Sequence, residues 1–146
     1  MINCTFENGN KASLRHVVVD TIVITNGKIL LVKRAAHLSN GGKWAIVGGF
    51  VDRDETCEQA ARRELKEEAG LDAKSIKFIK INDNPDRKNE DRQNIAIIYE
   101  IQAEGEPKRQ ESEVDEAKWF PLDALPNEAD FAFDHFEIIK DFLNQS

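Results

Sequence analysis

Two apolar, largely β-branched runs near the start of the chain are joined by Asn26-Gly27, and they constrain the fold more than any other feature. The runs cover 17–24 and 29–32 and consist mainly of valine, isoleucine and leucine. An Asn-Gly pair accepts the positive φ angles of a type I′ turn, so these residues predict a β-hairpin. Because a lone hairpin is only marginally stable in water, further strands must pair with it.

A pair of adjacent glycines, Gly48-Gly49, interrupts the next apolar segment. Trp44-Ala45-Ile46-Val47 precedes the pair, and Phe50-Val51 follows it. Glycine lacks a Cβ and often marks a break in regular structure. We therefore expect the chain to bend at the glycine pair.

Between Thr56 and Ala69 the apolar residues recur with helical spacing. Thr56 and Gln59 have the spacing of a capping box, and Gly70 suits a left-handed cap at the other end. These features predict an amphipathic helix with a defined start and end. Its apolar side consists of Cys57, Ala60, Ala61, Leu65 and Ala69.

The rest of the chain indicates more strands and a second helix. Strands are predicted at 76–81, 94–103 and 114–120, with a long polar loop at 82–93. We expect one helical turn at 123–125 and a final helix capped by Asp134. The apolar residues of that helix are Phe136, Ile138, Ile139, Phe142 and Leu143. This order of elements implies an α/β fold with a mixed sheet covered by helices.

Composition narrows the functional classes. The 146 residues, of which 40% are hydrophobic, suit a single domain over residues 1–146. The net charge of −7 opposes non-specific binding to nucleic acid or to an anionic membrane. Cys4 and Cys57 form no metal-ligand cluster, and no run reaches the roughly 18 apolar residues of a membrane span. We therefore expect a soluble cytoplasmic protein with reduced thiols.

Glu64, Glu67 and Glu68 crowd one part of the predicted helix. At about 100° per residue, they lie within an arc of roughly 100°. Like charges four residues apart destabilise a helix by about 0.2–0.5 kcal/mol, which a bound Mg²⁺ or Mn²⁺ would offset. The alternative is an ordinary solvated face on which Glu67 pairs with Arg63.

The segment from Gly49 to Leu71 resembles the signature of the Nudix hydrolase family. In that pattern a Gly, five residues, a Glu and seven residues precede Arg-Glu, an aliphatic residue, any residue, Glu-Glu, any residue, Gly and an aliphatic residue. The fixed places are filled here, across 23 residues, by Gly49, Glu55, Arg63, Glu64, Leu65, Glu67, Glu68, Gly70 and Leu71. The resemblance implies a Nudix-type α/β/α sandwich with a mixed β-sheet, and hydrolysis of a diphosphate linked to another group.

The resemblance also implies roles for the signature residues. Catalytic Mg²⁺, with Mn²⁺ as the alternative, would be bound by Glu64, Glu67, Glu68 and the backbone carbonyl of Gly48. Arg63 and Glu55 would support this arrangement through a salt bridge. The metal would activate the water that attacks phosphorus. Glu64 could accept the proton of that water, but Glu111, Glu113 and Glu116 are alternative bases on a later loop.

Three flanking segments, 44–51, 83–87 and 132–135, are similar to segments of ADP-ribose pyrophosphatase-like family members, although Val47 stands where a proline is usual. The similarity implies hydrolysis of ADP-ribose to AMP and ribose 5-phosphate. The alternatives are a nucleoside triphosphate pyrophosphohydrolase of nucleotide-pool sanitation and a non-catalytic nucleotide-sensing domain. The resemblance further implies a nucleoside diphosphate small molecule as the ligand and is compatible with a homodimer. The net charge argues against a nucleic-acid or membrane partner.

Residues outside the signature supply candidates for substrate binding. The main candidates are Arg34, Trp44, Phe50, Arg87 and Glu113. Lys88 and Arg92 also offer positive charge that could contact phosphate or ribose. The ring of Phe133 could stack on a nucleobase. His135 either contacts substrate or supports the start of the last helix. For each aromatic residue, packing in the fold is the alternative role.

Overall fold

The computed structural model describes residues 1–90, 92–109 and 112–146. Its strands are β1 (Ile2–Thr5), β2 (Lys11–Leu14), β3 (Val17–Thr25), β4 (Lys28–Arg34), β5 (Trp44–Ala45), β6 (Val47–Phe50), β7 (Ser75–Asn82), β8 (Ile95–Gln102) and β9 (Val114–Pro121). The helices are α1 (Cys57–Ala69) and α2 (His135–Gln145), and a 3₁₀ turn covers Glu128–Asp130.

The predicted hairpin is present as β3 and β4, which pair antiparallel. Asn26 has a φ of 44° and Gly27 a φ of 73°, the two positive angles that a type I′ turn needs. The turn therefore forms for the reason that the sequence indicates.

The main sheet is mixed, as predicted. Its strands lie in the order β5-β4-β3-β8-β7, with β6 also pairing with β3 and β9 with β4. Strands β3 and β8 run parallel, whereas β3 pairs antiparallel with β4 and β6. Strands β1 and β2 form a separate antiparallel sheet, which the polar sequence of the first residues does not predict.

The two helices cover opposite faces of the main sheet. Successive residues of a strand point to opposite faces. Val19 of β3 accordingly belongs to the core that contains Leu65 of α1, whereas Ile22 belongs to the core that contains Ile139 of α2. The fold is therefore the α/β/α sandwich that the resemblance implies. Neither helix in the described part of the chain is long and apolar enough to cross a membrane.

Helix α1 begins and ends as predicted. The Thr56 hydroxyl accepts a hydrogen bond from the Gln59 backbone N–H at 3.1 Å, and the Gln59 side chain accepts one from the Thr56 N–H at 2.8 Å. Gly70 has a φ of 69° and donates its N–H to the carbonyl of Lys66. These bonds hold both ends of the helix that carries the glutamates.

The prediction that the chain bends at the glycine pair is wrong. Gly48 and Gly49 lie inside β6, paired with β3, and the interruption falls two residues before Gly48, at Ile46. A Cβ at Gly49 would overlap the carboxylate of Glu64, and one at Gly48 would overlap the carbonyl of Val19. The glycines are therefore required by close packing and not by a turn.

The prediction of a helical turn at 123–125 is also wrong. Ala124 donates to the carbonyl of Pro121, which makes an isolated turn, and the 3₁₀ turn comes later. Pro126 disfavours helical geometry at Leu125, the residue before it. The end of the chain follows the prediction more closely, because α2 starts directly after Asp134. However, the Asp134 side chain makes no capping hydrogen bond.

We predict that Thr56→Ala lowers the free energy of unfolding by about 1 kcal/mol, because it removes the hydroxyl that satisfies a backbone N–H of α1. Urea denaturation followed by circular dichroism measures the change. Thr56→Ser keeps the hydroxyl and serves as the matched control. Equal stabilities of the alanine and serine variants would contradict this account of the helix start.

Candidate active site

A cavity of about 410 Å³ opens where α1, β3, β4, β6 and the loop between β7 and β8 meet. Many of its lining residues are charged. The acidic ones are Asp20, Asp52, Glu64, Glu67, Glu68, Glu90 and Glu113. The basic ones are Arg34, Arg87 and Arg92. The cavity therefore brings the signature glutamates together with arginines from distant parts of the sequence.

The acidic wall forms where α1 lies against β6. Glu64, Glu67 and Glu68 line the cavity from α1, and Gly48 and Gly49 line it from β6. The N–H of Gly48 donates to Oε2 of Glu68 at 3.4 Å. Glu64 and Glu68 are 8% exposed, so these two carboxylates are not part of an ordinary solvated face.

Arg63 links the carboxylates of this wall. Its guanidinium binds both oxygens of Glu55, at 2.7 and 3.1 Å. It also donates to Glu64 at 2.8 Å, to Glu67 at 2.9 Å and to the carbonyl of Phe50 at 2.9 Å. The predicted pairs of Arg63 with Glu55 and with Glu67 are both present. The hydrogen bonds that Arg63 donates to Glu55 hold the pKa of Glu55 below its ordinary value. The same bonds raise the pKa of Arg63.

The donor set has the chemistry of a site for a hard divalent cation. Three carboxylates and the backbone of Gly48 face one cavity, and oxygen is the ligand that Mg²⁺ and Mn²⁺ prefer. Arg63 occupies one oxygen each of Glu64 and Glu67. In the described residues, no three His, Cys, Asp or Glu side chains are gathered so that they could hold an ion without moving. A cation would therefore compete with Arg63 for these oxygens.

Two arginines face the cavity without a carboxylate partner in the described part of the chain. The guanidinium carbon of Arg34 lies 5.0 Å from the centre of the Phe133 ring, and that of Arg92 lies 5.6 Å from the centre of the Phe50 ring. The Nε of Arg34 also donates to the carbonyl of Ser39 at 2.8 Å. Burial lowers the pKa of Arg34 somewhat, yet an arginine remains charged at neutral pH. Both groups are suited to bind phosphate oxygens.

Arg87 differs from the exposed phosphate ligand that the sequence suggests. Its side chain is 3% exposed and donates to both oxygens of Asp134, at 2.7 and 2.9 Å, and to Asp20 at 3.2 Å. Burial by itself would lower the pKa of Arg87, but Asp134 and Asp20 hold it above the ordinary value. Burial would likewise raise the pKa of Asp134, but Arg87 holds it low. This ion pair explains why the Asp134 side chain does not cap α2.

His135 belongs to the same buried region. Its Nδ1 accepts a hydrogen bond from the Ile46 N–H at 3.2 Å, and its Nε2 lies 3.7 Å from Asp20. Burial lowers its pKa against the opposing charges of Asp20 and Asp134, so the ring is neutral at pH 7. His135 thus fixes the chain two residues before Gly48. This hydrogen bond supports the segment before β6 and not the start of α2, and His135 also lines the cavity.

The remaining candidates divide between the cavity and the outer surface. Phe50, Phe133 and Glu113 line the cavity. Trp44 does not, because it packs edge-on against Phe120 at 4.8 Å between ring centres.

Two charged candidates also lie away from the cavity. Lys88 pairs with Glu128 and Glu137, and Glu116 pairs with Lys33. Both side chains therefore form ion pairs on the surface and do not reach the cavity. Glu111 lies outside the described residues.

Asp20 is a buried cavity residue that the sequence interpretation missed. It is 5% exposed and pairs with Gly48 across β3 and β6. The available signal was a single carboxylate in the middle of the apolar run 17–24. A charge in a buried strand needs a partner, but the partner, Arg87, is distant in sequence.

Comparison with known proteins identifies the family. A model described as the NUDIX domain matches residues 14–142. The chain belongs to the Nudix family. An ADP-ribose pyrophosphatase of Methanocaldococcus jannaschii is 38% identical over 127 residues, which cover 87% of this chain and 72% of that relative. The predicted Nudix membership is thereby confirmed.

Solved Nudix structures have the same fold. The NUDIX domain of Shewanella oneidensis NrtR complexed with ADP ribose is 26% identical, with a TM-score of 0.78 over 92% of this chain and 90% of that chain. A bifunctional NMN adenylyltransferase/ADP ribose pyrophosphatase from Francisella tularensis, complexed with AMP and a Mn ion, is 28% identical, with a TM-score of 0.71. That match covers 92% of this chain but 43% of the larger one.

We predict that Glu55→Gln destabilises the protein at neutral pH and that the difference from the wild type shrinks as the solution is acidified. The folded-state pKa of Glu55 lies below its ordinary value of 4.5, so its pair with Arg63 contributes fully above that pH. The contribution is lost as the pH falls below about 4.5 and through the folded-state pKa. Urea denaturation between about pH 7 and pH 3 measures the trend.

Glu58→Gln is the matched control for this prediction. Glu58 lies on the same helix and pairs with Arg62 at 3.1 Å, but half of its side chain is exposed. An exposed pair of this kind contributes less than about 1 kcal/mol. A difference for Glu55→Gln that did not depend on pH would contradict the assigned ion pair.

Proposed function

We propose that this chain hydrolyses ADP-ribose to AMP and ribose 5-phosphate with the help of a divalent cation, Mg²⁺ or Mn²⁺. The observation that carries the proposal is that Glu64, Glu67 and Glu68 line the same cavity as Arg34 and Arg92. A diphosphate bound to both a cation and these arginines would match that lining. The similarity to an ADP-ribose pyrophosphatase supports this choice of substrate.

The acidic wall would hold the cation through Glu64, Glu67, Glu68 and the carbonyl of Gly48. Bound there, a divalent cation lowers the pKa of a water molecule and neutralises charge on the phosphoryl oxygens. Arg63 orients the carboxylates, since it already binds Glu64 and Glu67 at 2.8 and 2.9 Å. Glu55 in turn holds Arg63 through both of its oxygens.

The arginines of the cavity would bind and orient the substrate. Arg34 and Arg92 place positive charge in the same cavity as the glutamates, where they would bind the diphosphate oxygens. Phe50 and Phe133 support these arginines and present apolar surface to the sugar and base. Trp44 is removed from this set by its position outside the cavity.

The reaction needs one proton acceptor. Water adds to a phosphorus of the diphosphate, the bridging P–O bond breaks, and the proton of the water passes to a carboxylate. Glu64 and Glu113 both line the cavity and are the two acceptors that the geometry retains. Glu116 is disfavoured because it lies outside the cavity, in a pair with Lys33.

We predict that the protein with Mg²⁺ releases AMP from ADP-ribose faster than it releases pyrophosphate from any nucleoside triphosphate. A panel of both substrate classes, with products separated by ion-exchange chromatography, measures the two rates. Preferential release of pyrophosphate from triphosphates would support the nucleotide-sanitation alternative. ADP-ribose binding without turnover of either class would indicate a sensing domain.

We also predict that Glu68→Gln lowers kcat for the preferred substrate by about 100-fold or more, since even the outer partners of metal ligands are worth about 10–100-fold. Circular dichroism should show an intact fold. Glu58→Gln, on the exposed part of the same helix, is the control and should keep wild-type activity. Unchanged turnover by Glu68→Gln would contradict the assigned metal site.

A further inference from the structure

The loop between β7 and β8, named loop 83–94 and described at residues 83–90 and 92–94, is held in the protein by a buried ion cluster. Arg87 enters the cluster from the loop, Asp20 from β3 and Asp134 from the start of α2. Their side chains are 3%, 7% and 13% exposed. Asn82, at the end of β7, also donates to Asp134 at 3.0 Å. One guanidinium therefore joins the loop to both the sheet and a helix.

A cluster of this kind is costly as a source of stability alone. Removing charges from water costs several kcal/mol for each ion, and well-packed apolar residues often stabilise a protein as well or better. A buried pair does impose a fixed geometry on the segments that it joins. The segment that gains a fixed geometry here is the loop.

The contacts lead from Arg87 to the cavity. Arg87 donates to the carbonyl of Asn94 at 3.5 Å, at the end of the loop. The Glu90 carboxylate accepts from the backbone N–H of Arg92 at 2.7 Å and from that of Asn94 at 2.9 Å. Arg92 therefore projects from a turn whose base is fixed by Arg87. Its guanidinium lies over the Phe50 ring, 5.6 Å from the ring centre, and lines the cavity.

We propose that Arg87 is a positioning residue: through its ion cluster with Asp20 and Asp134 it holds loop 83–94 so that Arg92 meets the diphosphate of the substrate. This inference rests on the proposed function, because it assigns Arg92 to the substrate of that site. Arg87 itself binds no substrate in this scheme, since its fork of donors is used by the two aspartates.

Lys88, the next residue along, provides a natural comparison. It also ties the loop to the α2 region, through Glu128 at 3.0 Å and Glu137 at 3.3 Å. Half of its side chain is exposed, and it does not line the cavity. Such surface pairs hold a segment weakly. Lys88→Met thus removes a tether from the same loop and leaves the buried cluster intact.

A double-mutant cycle tests the proposal with Arg87→Lys, Arg92→Met and the combined variant, and with Lys88→Met as the control. Lysine keeps the positive charge at position 87 but loses the fork that binds two carboxylates at once. The measurements are kcat and KM for ADP-ribose with Mg²⁺, and amide hydrogen exchange of peptides from the loop and from α1.

We expect Arg87→Lys and Arg92→Met each to raise KM by about 5–10-fold, with kcat changed by less than about 2-fold. In the Arg92→Met background, Arg87→Lys should add less than about 2-fold, because both changes remove the same contact. Exchange should become faster in the loop of Arg87→Lys and stay unchanged in α1. Lys88→Met should keep the wild-type KM.

Independent, multiplying effects of the two substitutions on KM would overturn the proposal, and so would a faster-exchanging loop with an unchanged KM. If Arg87→Lys does not fold, Asp134→Asn replaces it in the cycle, since it removes one buried charge and keeps the shape of the side chain. Failure of the wild type to hydrolyse ADP-ribose would count against the proposed function. The cycle would then use the dissociation constant of ADP-ribose, measured by calorimetry, so that the two failures are distinguished.

Discussion

The close approach of α1 to β6 is the constraint on which the rest of the site depends. Glu64 occupies the space that a side chain at residue 49 would fill, and Gly48 lies directly against the carbonyl of Val19. A side chain at residue 49 would displace the Glu64 carboxylate, and one at residue 48 would collide with the backbone of β3. The glycines thereby allow the α1 carboxylates to lie beside the backbone of β6, where the Gly48 N–H donates to Glu68. The capping box and Gly70 then fix the register of the helix that presents these carboxylates.

The carboxylates and the arginines of the cavity are neutralised to different extents. On the acidic wall, Arg63 already neutralises part of the carboxylate charge through Glu55, Glu64 and Glu67. Arg63 therefore stabilises the cluster and also competes with any cation that binds there. Arg34 and Arg92 lie over aromatic rings, and in the described residues neither is in a salt bridge, although the charges of Glu68 and Glu113 act on Arg34. Their charge thus remains available to an anionic ligand.

The parts of the fold that depend on local sequence could be predicted. The hairpin turn at Asn26-Gly27, the ends of α1 and the arc of glutamates each follow from residues close together in the chain. The family signature added the sandwich and the Arg63–Glu55 pair. The errors share a different origin. The glycine pair and Asp134 were assigned to a bend and a cap, which are local roles, but both act through partners far away in sequence. Asp20 and Arg87, 67 residues apart, could be paired only once the sheet had brought them together.

The site also draws its carboxylates and its arginines from different parts of the chain. Glu64, Glu67 and Glu68 come from α1, whereas Arg92 comes from a loop between two strands. A change in that loop alters the surface that meets the ligand and leaves the helix untouched. Substitutions in this loop therefore offer a route to a new ligand specificity that leaves the glutamates of α1 unchanged.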